Sequence, residues 1–120
     1  MVLVDTSVWV DHLRNAEPRL QELLRSGQVL IHPLIVGELA CGNLGDREET
    51  LTLLHALPGA TEASYAEVLR VIEVHRLYGR GIGIVDVHLL ASCLLTHVPM
   101  WTRDRKLAPV ATRISLAYEE

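Results

Sequence analysis

The sequence predicts an α/β fold of three layers, a short central parallel sheet flanked by helices on both faces. Two observations carry that prediction. Short apolar runs, Val2-Leu3-Val4, Val29-Leu30-Ile31 and Val98-Pro99-Met100-Trp101, alternate with longer stretches of helical periodicity, and the links between them are short. Four carboxylates, Asp5, Glu38, Asp86 and Asp104, each stand where an apolar run gives way to polar or helix-starting residues. In a parallel sheet of this kind, sites form beyond the carboxyl ends of the strands.

Val2-Leu3-Val4 is aliphatic without a polar interruption, as expected of a strand buried on both faces, and reads as the central one. Thr6 or Ser7 then caps a helix through Trp9, Val10 and Leu13, and a second helix carries Leu20, Leu23 and Leu24 until Gly27 stops it. After the second strand, Pro33 is suited to the first position of a helix holding Ile35, Val36, Leu39 and Ala40, with Glu38 about a turn in. Asp46 opens a further helix with Leu51, Leu54 and Leu57 on one face, closed by Pro58-Gly59, and leaves room for only a very short strand. Ser64 caps a long helix through Leu69, Ile72 and Leu77 to Gly79.

Gly79-Arg80-Gly81-Ile82-Gly83 follows a helix and has neither a Walker lysine nor dinucleotide spacing, so it is a linker rather than a phosphate loop. Asp86 lies in the first turn of a helix that is apolar nearly all round, from Val87 to Leu95, and is expected in the middle of the fold. Beyond the strand ending at Trp101, Thr102 to Leu107 form a turn and a short helix, and Ile114-Ser115-Leu116 a last edge strand.

At 120 residues the chain is expected to be one domain, residues 1–120, and 49% apolar content with 22% charge excludes a disordered tail. The mean hydropathy of +0.23 is high for so small a protein and points to surface covered by another chain. No apolar run reaches the roughly 18 to 20 residues that span a bilayer, and Asp5 comes too early for a signal peptide, so a cytoplasmic location is expected. Cys41 and Cys93, each among apolar neighbours and matching no disulfide or zinc spacing, are expected to be buried free thiols.

The net charge of −4 carries no bulk attraction for nucleic acid, so any such contact is local. Of the eleven basic side chains all but Lys106 are arginine, and Arg76 with Arg80, and Arg103 with Arg105 and Lys106, form two small groups. Carboxylates gathered a few ångströms apart repel, which favours retention of a proton or binding of a cation. Each acid alone has a plain explanation in helix-dipole stabilisation or solvation. Asp5 is the exception, because a carboxylate ending a buried strand needs a partner and no lysine or arginine adjoins it in sequence. An oxygen-only donor set suits Mg²⁺ or Mn²⁺ rather than zinc.

Val4-Asp5-Thr6-Ser7-Val8-Trp9, Gly37-Glu38-Leu39, Val85-Asp86-Val87-His88-Leu89-Leu90-Ala91-Ser92 and Trp101-Thr102-Arg103-Asp104 follow one another in an order and spacing that resemble PIN-domain nucleases, over the whole chain. Within that family the chain is similar to the VapC-type toxins of type II toxin–antitoxin systems. The resemblance implies a PIN-like fold and a Mg²⁺- or Mn²⁺-dependent endoribonuclease that cleaves RNA phosphodiesters by metal-activated water. It also implies inhibition by a small cognate antitoxin, and a homodimer. Asp5, Glu38, Asp86 and Asp104 are then the catalytic set, with Asp5 and Asp86 ligands, Glu38 a ligand directly or through water, and Asp104 completing the site.

Thr6 and Thr102 lie within two residues of a quartet acid, where a hydroxyl orients a carboxylate or a metal-held water. Arg103 and Arg105 are candidates to grip RNA phosphates. His88 is the one histidine near the acids and is read as structural; Trp9 and Trp101 are read as core rather than as base-stacking platforms. Two other classes compete. A catalytically silent PIN-like binding module has the same sequence pattern, and a Mg²⁺-dependent phosphoacceptor domain also sets acids at strand ends. The latter fits poorly, because Thr6 and Ser7 follow Asp5 where such domains carry a second acid.

Overall fold

The sheet is built around β1 (Val2–Val4), whose neighbours are β2 (Val29–Leu30) on one side and β3 (Met100–Trp101) on the other, all parallel. In this computed structural model, which describes residues 1–120, Val2 pairs with Val29, Leu3 with both Leu30 and Met100, and Val4 with Trp101. Single parallel bridges widen the sheet at both edges, Ile31 with Gly59 and Met100 with Ala117. Successive strand residues face opposite sides, and all three of Val2, Leu3 and Val4 are buried, so both faces of the sheet are covered. The three-layer α/β prediction matches this architecture.

Seven helices make the covering layers: α1 (Thr6–Arg14), α2 (Pro18–Arg25), α3 (Pro33–Ala40), α4 (Arg47–His55), α5 (Tyr65–His75), α6 (Ile84–Thr96) and α7 (Leu107–Arg113). Pro18 and Pro33 stand at the first helical positions, where a missing N–H costs nothing. Gly27, at φ 67°, ends α2 as expected. In α6, Val87, Leu89, Leu90, Ala91, Ser92 and Cys93 are buried in succession, as its all-round apolar sequence predicts. Each fully buried leucine there contributes about 2 kcal/mol. Trp9 and Trp101 are core residues, and no helix is long and apolar enough to cross a membrane.

Ser64 and Glu67 form a reciprocal cap at the start of α5. The Glu67 amide donates to Ser64 Oγ at 3.1 Å and the Ser64 amide to Glu67 Oε1 at 2.9 Å. Ser64→Ala is expected to cost about 1 kcal/mol, roughly 4 °C in Tm for a domain of this size. A melt within 1 °C of the parent would show that this cap carries no weight.

Four expectations need correction. The cap of α1 is Asp5, not Thr6 or Ser7: its backbone is extended and its side chain accepts from the Ser7 amide. Cys41 is exposed, because α3 ends at Ala40 and the thiol falls on the helix cap; Cys93 is buried, which pushes its thiol up to about 12. The helix after Trp101 starts only at Leu107, with Pro109 inside its first turn. Residues 114–116 are not a strand: Ile114 closes α7 and Ala117 alone bridges to Met100.

Candidate functional site

The strand order β2-β1-β3 means that the chain leaves β1 first to one side and later returns on the other, so a crevice opens above the carboxyl end of β1. Asp5 occupies that point. It is only 6% exposed, and three donors converge on its Oδ2: the Ser7 hydroxyl at 2.7 Å, the Thr102 hydroxyl at 2.8 Å and the Ser7 amide at 3.4 Å. The partner that a buried carboxylate requires is thus a pair of hydroxyls rather than a cation.

Those hydroxyls tie Asp5 to the turn after β3. The Arg103 amide donates to Ser7 Oγ at 2.9 Å, and the Asp104 amide to Thr102 Oγ1 at 3.1 Å. Each hydroxyl has one proton and gives it to Asp5, so the 3.3 Å approach of Ser7 Oγ to Thr102 Oγ1 is proximity and not a further bond. Thr6 serves a different acid than its sequence position suggests, donating at 2.7 Å to Glu38 Oε1 and joining α1 to α3. Asp86, in the first turn of α6, accepts the Gly83 amide at Oδ2 over 3.2 Å. Asp104 accepts the Lys106 and Leu107 amides at Oδ1, over 2.8 and 3.0 Å, and so closes the turn into α7.

A regularity emerges from these bonds. Each of the four acids has one carboxylate oxygen engaged inside the protein and the other, Asp5 Oδ1, Glu38 Oε2, Asp86 Oδ1 and Asp104 Oδ2, without a hydrogen bond. None of the four takes part in an ion pair; the paired acids are Asp11, Glu17, Glu22 and Glu120. Their charges nonetheless reach one another. Burial raises the Asp86 carboxyl above the usual carboxylate range, the Gly83 amide opposes the rise, and Asp5, Asp104 and Glu38 add to it by repulsion.

No three of these side chains stand close enough together to hold a metal ion as they lie, so the cluster is joined by charge and not by a closed ligand shell. Its donors are nevertheless all free carboxylate oxygens lacking a protein cation, the chemistry that fits Mg²⁺ or Mn²⁺. A raised carboxyl holds its proton more tightly folded than unfolded, so burial of the charge, with repulsion added, costs stability as pH climbs above the unfolded value of about 4. In chelator at pH 7, Asp86→Asn is expected to be neutral or modestly stabilising, with the gain gone below about pH 4. A clear loss of Tm in EDTA at pH 7 would contradict it.

Arg103 does not stand open to a phosphate. Its Nη1 donates to Asp11 Oδ2 at 2.8 Å and Glu17 Oε1 at 2.6 Å, its Nη2 to Glu120 Oε1 at 2.8 Å, and its guanidinium lies 5.6 Å from the centre of the Trp101 ring. Arg105 remains exposed and outside the ion pairs. Ser7 and the Arg103 hub were missed by sequence reasoning. The Asp-Thr-Ser order could have pointed to Ser7, two residues after a buried acid, whereas nothing local points to the arginine's partners. His88 is half-buried on α6.

Residues 2–112 match the PIN domain family. Over 121 aligned residues the chain is 43% identical to "Ribonuclease VapC32" of Mycobacterium tuberculosis strain CDC 1551 / Oshkosh, covering 100% of this chain and 98% of that protein. The figures are the same for "Ribonuclease VapC32" of strain H37Rv. With the fold, the order of the acids and these matches in agreement, the chain belongs to the PIN domain family, in its VapC group.

Proposed function

We propose that this chain is a single-domain, Mg²⁺- or Mn²⁺-dependent endoribonuclease of the cytoplasm, the toxin of a toxin–antitoxin pair, dimeric and inhibited by a small cognate antitoxin. The observation that carries the metal chemistry is the set of four free carboxylate oxygens with no protein cation among them. Similarity to "Ribonuclease VapC32" supports RNA as substrate and a VapC role. Exposed Leu53, Tyr65 and Val74 support protein partners.

Asp5, Glu38 and Asp86 would hold the cation, with Asp104 at the edge of the site. A hard cation bound there supplies an acidified water and neutralises charge on the scissile phosphate. The chain's own contribution is orientation. Ser7 and Thr102 fix Asp5 from one side, so that Oδ1 is the oxygen left to bind, and Thr6 does the same for Glu38. Cleavage of RNA by the purified chain with Mn²⁺, abolished by excess chelator, is the expected result. Undiminished cleavage in chelator would remove the metal mechanism, and failure to cleave with any divalent ion would favour the silent binding module.

A further inference from the structure

The eleven basic side chains are not evenly used. Ion pairs engage Arg19 and Arg103 only, and the others lack a carboxylate partner. Part of that free charge lies along the Gly79–Gly83 linker and the turns that flank it. Arg80 Nε donates to the Arg76 carbonyl at 3.3 Å, and Arg113, at the far end of α7, donates to the carbonyls of His75 and Arg76, closing the end of α5. Lys106, in the turn before α7, lies against the Gly79–Gly83 linker: a Cβ on Gly81 would lie 3.0 Å from its Cδ and 3.7 Å from its Nζ. Gly81, at φ 80°, therefore supplies both a left-handed turn and the room in which the Lys106 stem rests against the linker.

The same two segments carry the acids' backbone donors. Gly83 closes the linker and donates to Asp86, while Lys106 donates its amide to Asp104. Arg80 and Lys106 thus stand on the segments that lead to Asp86 and Asp104 and pair with neither acid, leaving one set for an external anion and the other for an external cation. Tyr78 stands between Arg76 and Arg80 in sequence and is 60% exposed. Aromatic exposure interleaved with arginine is the pattern of single-strand binding, a base on the ring and phosphates on the forks.

We propose that Arg76, Tyr78, Arg80 and Lys106 form a binding surface for the sugar–phosphate backbone and one base of single-stranded RNA running out of the acidic crevice. The inference rests on the ribonuclease reading for its substrate and assigns that substrate a path. It also replaces Arg103, whose charge is taken up by three carboxylates, as the phosphate contact.

The test uses the full chain carrying Asp5→Asn, in EDTA, with a fluorescein-labelled single-stranded RNA of about 20 nucleotides and mixed sequence, followed by anisotropy between about 0.05 and 0.3 M salt, a range set by counterion release. Each phosphate contact on a single strand contributes about 0.7 to the log–log salt slope, equivalent to about fivefold in affinity at 0.1 M salt. Arg80→Gln with Lys106→Gln should therefore lower the slope by about 1.4 and weaken binding about 25-fold. Tyr78→Ala should weaken binding with little change of slope. Arg25→Gln, at the amino end of the sheet, should change neither.

Circular dichroism melts confirm that each variant folds. Unchanged affinity and slope in the Arg80/Lys106 double variant would overturn the proposal, as would failure of the Asp5→Asn chain to bind this RNA at 0.05 M salt. Retained RNA binding with lost binding of a polyglutamate peptide would overturn it too, assigning the patch to an acidic protein segment. If the patch variants lose RNA while the parent with Mn²⁺ leaves it intact, the surface stands and the nuclease reading fails. If the parent cleaves and the patch variants bind normally, the reverse holds.

Discussion

Asp5→Asn should lower RNA cleavage about a thousandfold or more while leaving the fold in place. The substitution keeps the shape of the side chain, and its amide oxygen can still accept from the Ser7 and Thr102 hydroxyls that now meet at Oδ2. What it removes is the negative charge and the free oxygen at the centre of the crevice. A cation held there is worth several kcal/mol to the transition state, and each 1.36 kcal/mol is tenfold in rate. Single-turnover cleavage with saturating Mn²⁺, beside a melt of each protein in EDTA, separates the two effects. Near-parental cleavage by a well-folded variant would place the chemistry elsewhere.

Arg103→Ala should be the larger blow to stability, about 2 kcal/mol or roughly 8 °C in Tm, most of it from charge-assisted bonds of a largely covered guanidinium. Truncation strands Asp11, Glu17 and Glu120 beside one another and uncovers Trp101. The hydrogen bond from Arg103, foremost, and its charge hold Glu17 below the usual carboxylate range. A depressed carboxyl stabilises the fold above its unfolded value, near pH 4, and loses that contribution as pH falls through the folded value. The gap between parent and variant should therefore narrow below about pH 4. Arg103→Lys, which keeps the charge but not the fork, should fall between them. A melt unchanged at pH 7 would show that solvent screening cancels the network.

The parts of this molecule legible in the sequence are those whose causes are local. Val2-Leu3-Val4 announces a strand buried on both faces, Pro33 a helix start, and Ser64 a cap, because each is determined by neighbours within a turn. Asp5 was legible as an acid ending a buried strand, but its partners were not, since Thr102 lies 97 residues away. The same distance hides Arg103, whose carboxylates lie 92, 86 and 17 residues off. The helix after Trp101 starts later than the sequence suggests, since α7 begins only at Leu107, which puts Pro109 in its first turn. Cys41 has an apolar neighbourhood in sequence, yet burial depends on which side of the helix end it falls.

The positive surface beside the crevice illustrates the same division. Sequence grouped Arg103 with Arg105 and Lys106, but ion pairing to distant carboxylates withdraws Arg103, while the stem of Lys106 rests against Gly81 in the linker that carries Arg80. Composition counted the charges; only the fold shows which of them remain free.

Asp5, Glu38, Asp86 and Asp104 are proposed to act as one hard-cation site. The measurement that tests it most directly is the rise in melting temperature on adding Mn²⁺ at saturating concentration to the metal-free chain and to Asp5→Asn and Asp86→Asn. Binding to the folded state alone raises stability by RT ln(1 + [L]/Kd), about 2.7 kcal/mol at one hundred times Kd, or roughly 11 °C here. The parent should show such a shift and each variant should lose most of it, whereas equal shifts in all three would mean that the four carboxylates do not share a cation.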